Sequence, residues 1–179
     1  SIEDYDDVEI HNCWRERVIN GNADPDKLLD GIRYRARDNA RTPMQWDDTE
    51  NAGFTTGTPW LKVNPNYKEI NVKEALTDKD SILHYMQRLI KMRKENEVAI
   101  YEDFQEYEPE NEQLYIYERN FEEKQMLVVL NFSEERAKFT MPEEWKGKKT
   151  ELLITNYPGE KELKNRELEP YEAIVWLAL

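Results

Sequence analysis

Cysteine is nearly absent from this sequence. Cys13 stands alone in 179 residues, so no internal disulfide can form, and that usage fits a reducing cytoplasm. Cys13 lies between Asn12 and Trp14 in a helix-like stretch, which favours a buried or semi-buried spectator over a nucleophile. Histidine is scarce too: His11 and His84 fall on helix-like segments without the partner spacing of a metal site. There is no glycine-rich phosphate cradle and no nucleophile elbow. No apolar run approaches the ~20 residues that a bilayer span needs. Positive charge is in deficit too, with 25 Lys and Arg against 38 Asp and Glu, a net charge of −13. So acidic a surface repels phosphate backbones and anionic lipid. Nucleic acid and membrane are therefore poor partners, and an uncharged substrate is easier to accommodate. Neither an internal repeat nor a low-complexity tract is present.

What is present falls into two textures. Residues 4–20 are expected to be helical, with Val8, Cys13, Trp14 and Val18 on a rough apolar face and Gly21 and Asn22 as the stop. Asp24 and Pro25 open a second helix as N-cap and first helical residue, with Leu28, Leu29 and Ile32 on one side. Residues 71–76 suit one short helical turn. Asp80 is expected to cap a strong helix over 80–95. Its broad apolar face (Ile82, Leu83, Tyr85, Met86, Leu89, Ile90, Met92) needs a large surface to cover it. After Asn96 come short apolar or alternating runs at 98–104, 114–119, 126–132, 137–140, 150–155 and 171–179. Their spacing and β-branched content predict a small antiparallel sandwich. The run 113–120 alternates and should be half exposed; 126–130 is continuously apolar and should be central. The domain boundary is placed near 96–100, giving segments 1–96 and 97–179.

Between the second helix and residue 79 no period is sustained, and Pro43, Gly53, Gly57, Pro59 and Pro65 punctuate the chain. The stretch 37–60, RDNARTPMQWDDTENAGFTTGTPW, packs large and charged residues into one loop of turn formers. Loops of this length are usually functional or belong to a larger body. Arg37 and Arg41, beside Asp38, suit planar-fork pairing with carboxylates or hydrogen bonds to sugar hydroxyls; composition alone favours an ion pair that pins the loop. Met44, Trp46, Phe54 and Trp60 suit either stacking on pyranose rings or a mini-core of the loop, and the mini-core is again favoured. Carboxylates are abundant, Asp4, Asp6, Asp7 and Glu9 among them, but no catalytic pair can be nominated, because most such groups form a solvated face.

The strings RDNARTPMQWDD, NAGFTTGTPW and VNPNYKEINV resemble the oligo-1,6-glucosidase and α-glucosidase group of the α-amylase-type glycoside hydrolases. Dextran glucosidases, trehalose-6-phosphate hydrolases and sucrose isomerases share much the same string. The opening SIEDYDDVE and the ending LEPYEAIVWLAL are also similar to that group, so the resemblance covers essentially the whole chain. It implies an α+β fold: the helical and loop remnant of the end of a (β/α)8 barrel, followed by an all-β antiparallel sandwich. Residues 1–79 would follow the eighth barrel strand, and 80–95 would be the last barrel helix. The family's catalytic carboxylates follow earlier strands, so this C-terminal fragment is expected to contain no catalytic residue and to be inactive alone. The parent would be a retaining α-glucosidase acting on short α-1,6-linked glucosides from the non-reducing end. By the resemblance, Arg37 binds the terminal glucose and Glu9 lines the next sugar site. Asp38, Arg41, Trp46 and Trp60 structure the loop. No cofactor or metal is implied. The expected partners are an oligosaccharide and the N-terminal barrel, with self-association through the barrel-facing surface as a further option. The alternatives are a dextran glucosidase or trehalose-6-phosphate hydrolase parent, or a stand-alone non-catalytic carbohydrate-binding or interaction module.

Overall fold

The computed structural model describes residues 1–101, 103–159 and 161–179. The chain divides into two compact units, Ser1–Ser81 and Ile82–Leu179.

The first unit is built from short helices. A 3-10 turn at Ile2–Asp4 precedes α1 (Val8–Trp14), which runs on as a π-helical turn over Arg15–Ile19. The single helix expected over 4–20 is thus shorter at its start, because Asp7 takes the capping position ahead of Val8. Its stop is where the sequence puts it: a Cβ at Gly21 would lie 2.6 Å from the Arg17 carbonyl oxygen. Helix α2 (Pro25–Arg35) has Asp24 as its cap, accepting the Asp26 and Lys27 N–H groups. Leu28 and Leu29 are half-buried and Ile32 is buried. Further 3-10 turns lie at Arg37–Ala40, Glu50–Gly53 and Pro65–Lys68, before the short α3 (Val72–Thr77). Buried apolar side chains in this unit are few, namely Ile32, Pro43, Ala52 and Leu61. Val8, Ile19, Tyr34, Ile70 and Leu76 are exposed.

The second unit holds both hydrophobic clusters. Helix α4 (Ile82–Glu95) starts two residues after Asp80, whose own N–H is bonded to Asp78. Strands β1 (Phe104–Tyr107), β2 (Leu114–Phe121), β3 (Lys124–Asn131), β4 (Ala137–Phe139), β5 (Thr150–Thr155), β6 (Arg166–Leu168) and β7 (Ala173–Ala178) follow. Five of them form an antiparallel sheet in the order β1-β2-β3-β7-β5, and β4 pairs with β6. Strand β3 is central and buried on both faces, which is why it reads as an unbroken apolar run. In β2, Leu114, Ile116 and Glu118 are buried while the intervening residues are half-buried, so the alternation gives one covered face.

One face of the sheet is covered by the β4–β6 pair and by Trp145, with Phe139 stacked on Trp176 at 6.3 Å. The other is covered by Val98, Ala99 and the Tyr85, Leu89 and Met92 side of α4. That packing puts α4 in one compact unit with the sheet, whereas the chain texture divides at 96. A second stripe of α4, Ile82, Met86 and Ile90, stays exposed. The expected strand over 98–104 is replaced by a 3-10 turn (Glu97–Ala99) and a strand that begins only at Phe104; Glu102 lies outside the described residues. The carbonyls of Val98, Ile100 and Tyr101 are bonded by the Arg119 guanidinium instead of a neighbouring strand. Strand β6 has no signal in the sequence, because Leu168 is its single apolar residue.

Candidate functional site

Two chain segments meet at Asp7. It caps α1, with Oδ1 accepting the Glu9 N–H at 2.9 Å. A short carboxylate at this position satisfies an orphan amide and sits at the positive end of the helix. The same carboxylate receives the fork of Arg37, Nε to Oδ2 at 2.8 Å and NH2 to Oδ1 at 3.1 Å. Arg37 NH2 also donates to Glu9 Oε2 at 2.8 Å. Asp38 is buried and bonds to the backbone: its Oδ2 accepts the N–H groups of Asp6 at 2.8 Å and Asp7 at 3.0 Å. Its Oδ1 receives Arg41 NH1 at 3.3 Å, and that NH1 lies 3.6 Å from Asp7 Oδ2. Alternating charges therefore lock the Arg37–Ala40 turn onto the start of α1.

The Arg37 hydrogen bond, assisted by the Glu9 N–H, holds the Asp7 carboxyl below its usual range. The Asp7 bond and charge raise Arg37 in return. Side-chain exposure is 3% for Asp7 and 54% for Arg37, so the acid is enclosed while part of the guanidinium faces outward. A guanidinium has five N–H donors. Three are committed to Asp7 and Glu9, and NH1 has no partner among the described residues. A cleft of about 150 Å³ beside Asp38 is lined by Asp4, Tyr5, Asn39, Thr42, Leu61 and Lys62.

The structure thus brings Arg37, Glu9, Asp38 and Arg41 together and adds Asp7. Sequence reasoning left Asp7 among the surplus carboxylates. Its one local signal is an Asp directly ahead of a helical Val-Glu pair. Trp46 and Trp60 lie elsewhere in the loop, with 50% and 61% of their surfaces exposed. Within this unit the loop is ordered by polar bonds rather than by those rings. The Trp46 and Asp47 N–H groups donate to the Ala52 carbonyl, and the Trp46 carbonyl accepts the Lys73 N–H. Gln45 donates to Asn66 and to the Ile70 carbonyl, Asn51 to the carbonyls of Thr55 and Gly57, and Lys73 to Asp48.

The turn inside this loop runs left-handed through Asn51, Ala52 and Gly53, with φ of 52°, 57° and 66°. At Gly53 a Cβ would fall 2.7 Å from the Asp47 carboxylate, which accepts the Thr49 N–H. Gly53→Ala is therefore expected to destabilise the first unit by about 1–2 kcal/mol from backbone handedness alone. Thermal unfolding followed at a Trp band checks this; an unchanged midpoint would refute it. Among the described residues no three His, Cys, Asp or Glu side chains converge in a way that could hold a metal ion. No described helix is long and apolar enough to cross a membrane.

The family model described as alpha amylase, catalytic domain, matches residues 5–102, and the model for the maltogenic amylase C-terminal domain matches 104–175. The chain is 48% identical to an oligo-1,6-glucosidase of Parageobacillus thermoglucosidasius, over 98% of this chain and 32% of that protein. The solved structure of a Bacillus licheniformis trehalose-6-phosphate hydrolase superposes with a TM-score of 0.90 at 37% identity, covering 100% of this chain and 33% of that one. That of a trehalulose synthase from Pseudomonas mesoacidophila gives a TM-score of 0.89 at 36% identity, covering 100% and 32%. The chain therefore spans about a third of the length of the relatives it matches, and the part it corresponds to is C-terminal.

Proposed function

We propose a function from one premise: this chain belongs to the α-amylase catalytic-domain family. It is the C-terminal part of a retaining α-glucosidase that hydrolyses short α-1,6-linked glucosides from the non-reducing end. Residues 1–96 close a (β/α)8 barrel and 97–179 form the C-terminal domain. The observation that carries this reading is the Asp7–Arg37–Glu9 cluster, a tightly bonded polar site in a unit with few buried apolar side chains. Barrel active sites lie on the face formed by the βα segments, where side chains are held by polar bonds while the barrel supplies the apolar floor. The exposed Ile82, Met86 and Ile90 stripe of α4 has the spacing of a helix side that meets a second surface.

In this reading Arg37 hydrogen-bonds the non-reducing glucose and Glu9 lines the next sugar site. Asp38 and Arg41 shape the turn between them, and Trp46 and Trp60 anchor the loop on the barrel. The two carboxyl groups that cleave the bond through a covalent glucosyl intermediate lie outside this chain. A cytoplasmic site of action is supported by the lone Cys13.

The test compares the full-length protein with this chain alone. The full-length protein is expected to turn over isomaltose in preference to trehalose 6-phosphate, and to give free glucose rather than an isomer from sucrose. The 179-residue chain is expected to show no turnover and no isomaltose binding by titration. Preference for the phosphorylated disaccharide, or isomer formation, would favour the sister activities of the family. Isomaltose binding by the chain alone would favour a self-sufficient carbohydrate module.

A further inference from the structure

We infer that Asp7 is a positioning residue for Arg37: it clamps one edge of the guanidinium so that the NH1 edge is presented to the sugar. The inference rests on Arg37 meeting the substrate as proposed above. Arginine has a flexible stem, and a fork that is free to swing delivers its hydrogen bonds at an entropic cost. Here the Nε and NH2 edge is held by two bonds to one carboxylate, at 2.8 and 3.1 Å. That carboxylate is itself held in place. Its Oδ1 is tied to the α1 backbone through the Glu9 N–H, and the backbone at Asp6 and Asp7 is pinned by buried Asp38. Glu9 is different in kind: its side chain is 77% exposed and takes one bond from the guanidinium. The enclosed Asp7 fixes the plane of the fork, and the exposed Glu9 is free to exchange its bond when a sugar enters. NH1 is the edge with no partner among the described residues.

Asp7→Asn isolates this role. Asparagine is as good a helix cap as aspartate, so its oxygen keeps the Glu9 N–H. Its amide then sets a donor against the Arg37 Nε donor, which breaks the fork. In the full-length enzyme, Asp7→Asn is expected to raise KM for isomaltose about tenfold with kcat changed less than about twofold. Placed on an Arg37→Ala background it is expected to change kcat/KM by less than about twofold, because nothing remains to position. A merely structural Asp7 would cost as much in the second background as in the first, and that result overturns the inference. Asp7→Asn without effect where Arg37→Ala is costly also overturns it, while leaving the role of Arg37 intact. If Arg37→Ala itself is silent, the site reading and this inference fall together. Should Asp7→Asn not accumulate as folded protein, Asp7→Ser, another favoured cap that lacks the carboxylate, is read against the same outcomes.

Discussion

Arg37→Ala in the full-length protein is expected to lower kcat/KM on isomaltose by about ten- to a hundredfold, with the fold retained. The size of the effect follows from what the side chain does twice. It neutralises two carboxylates, Asp7 and Glu9, and it leaves NH1 to donate outward. Without the guanidinium, the carboxylates remain and face incoming hydroxyls as acceptors alone, and the donor that would orient the terminal glucose is gone. A site built to hydrogen-bond a substrate loses more from an unpaired polar group than an apolar pocket loses from a missing methylene. The fold should survive, because Asp7 keeps the Glu9 N–H and the Asp38 bonds to the backbone of Asp6 and Asp7 do not involve Arg37. Arg37→Lys should recover only part of the loss, since an ammonium supplies the charge but not the planar fork. Circular dichroism establishes that each variant is folded, and initial rates on isomaltose give the loss. Wild-type kinetics in folded Arg37→Ala would end the assignment of this residue to the sugar.

The second large effect is on stability. Trp145→Ala should destabilise the second unit by about 3–5 kcal/mol, the usual range for removing a buried Trp, out of the 5–15 kcal/mol that holds a typical domain together. Trp145 is 1% exposed in the cluster between the main sheet and the β4–β6 pair. Its Nε1 donates to Glu118 Oε2 at 2.7 Å, alongside the Tyr107 hydroxyl at 2.7 Å, while Asn120 holds Oε1 at 2.8 Å. Deleting the ring opens a cavity and removes one of the donors that make a buried carboxylate tolerable. A fall in midpoint of at least roughly 10 °C is expected in a thermal melt of this unit's signal.

Trp145→Phe separates the two causes. Burial pushes the Glu118 carboxyl up, but the bonds from Asn120, Tyr107 and Trp145 together outweigh it, so its folded value lies below the ordinary one. A lowered folded value contributes stability that is present above the unfolded value of about 4.3 and is lost as pH falls through the folded one. Phenylalanine fills most of the volume yet offers no donor, so the folded value should rise and acid unfolding should begin at a higher pH than in the wild type. Identical acid limbs for the two proteins would mean that the indole bond does not stabilise the anion.

The elements that could be read from the sequence are those whose signal is local. Asp24-Pro25 set the start of α2 because capping is a matter of neighbouring residues. The continuous apolar run of β3 announced a strand buried on both sides, and the alternation in β2 announced one covered face. That same alternation puts Glu118 on the face of Leu114 and Ile116, a hint of a buried carboxylate that charge alone conceals. Strand β6 and the coil after α4 were illegible for the opposite reason: one forms because Ala137, Lys138 and Phe139 lie across from it, and the other because Arg119 takes up its carbonyls.

Unaided, the chain's residue order determined the two textures, the start of α2, the central strand and the family string around Arg37, all of which depend on short-range pattern. Only the tertiary structure decided that Asp7, thirty positions before Arg37, is the carboxylate that grips it. It also decided that one side of α4 belongs to the sheet while Ile82, Met86 and Ile90 stay bare. The physical reason is that an ion pair between distant segments leaves no periodicity in the sequence. Which of several acids meets a given arginine is fixed by where the backbone carries them, not by their chemistry.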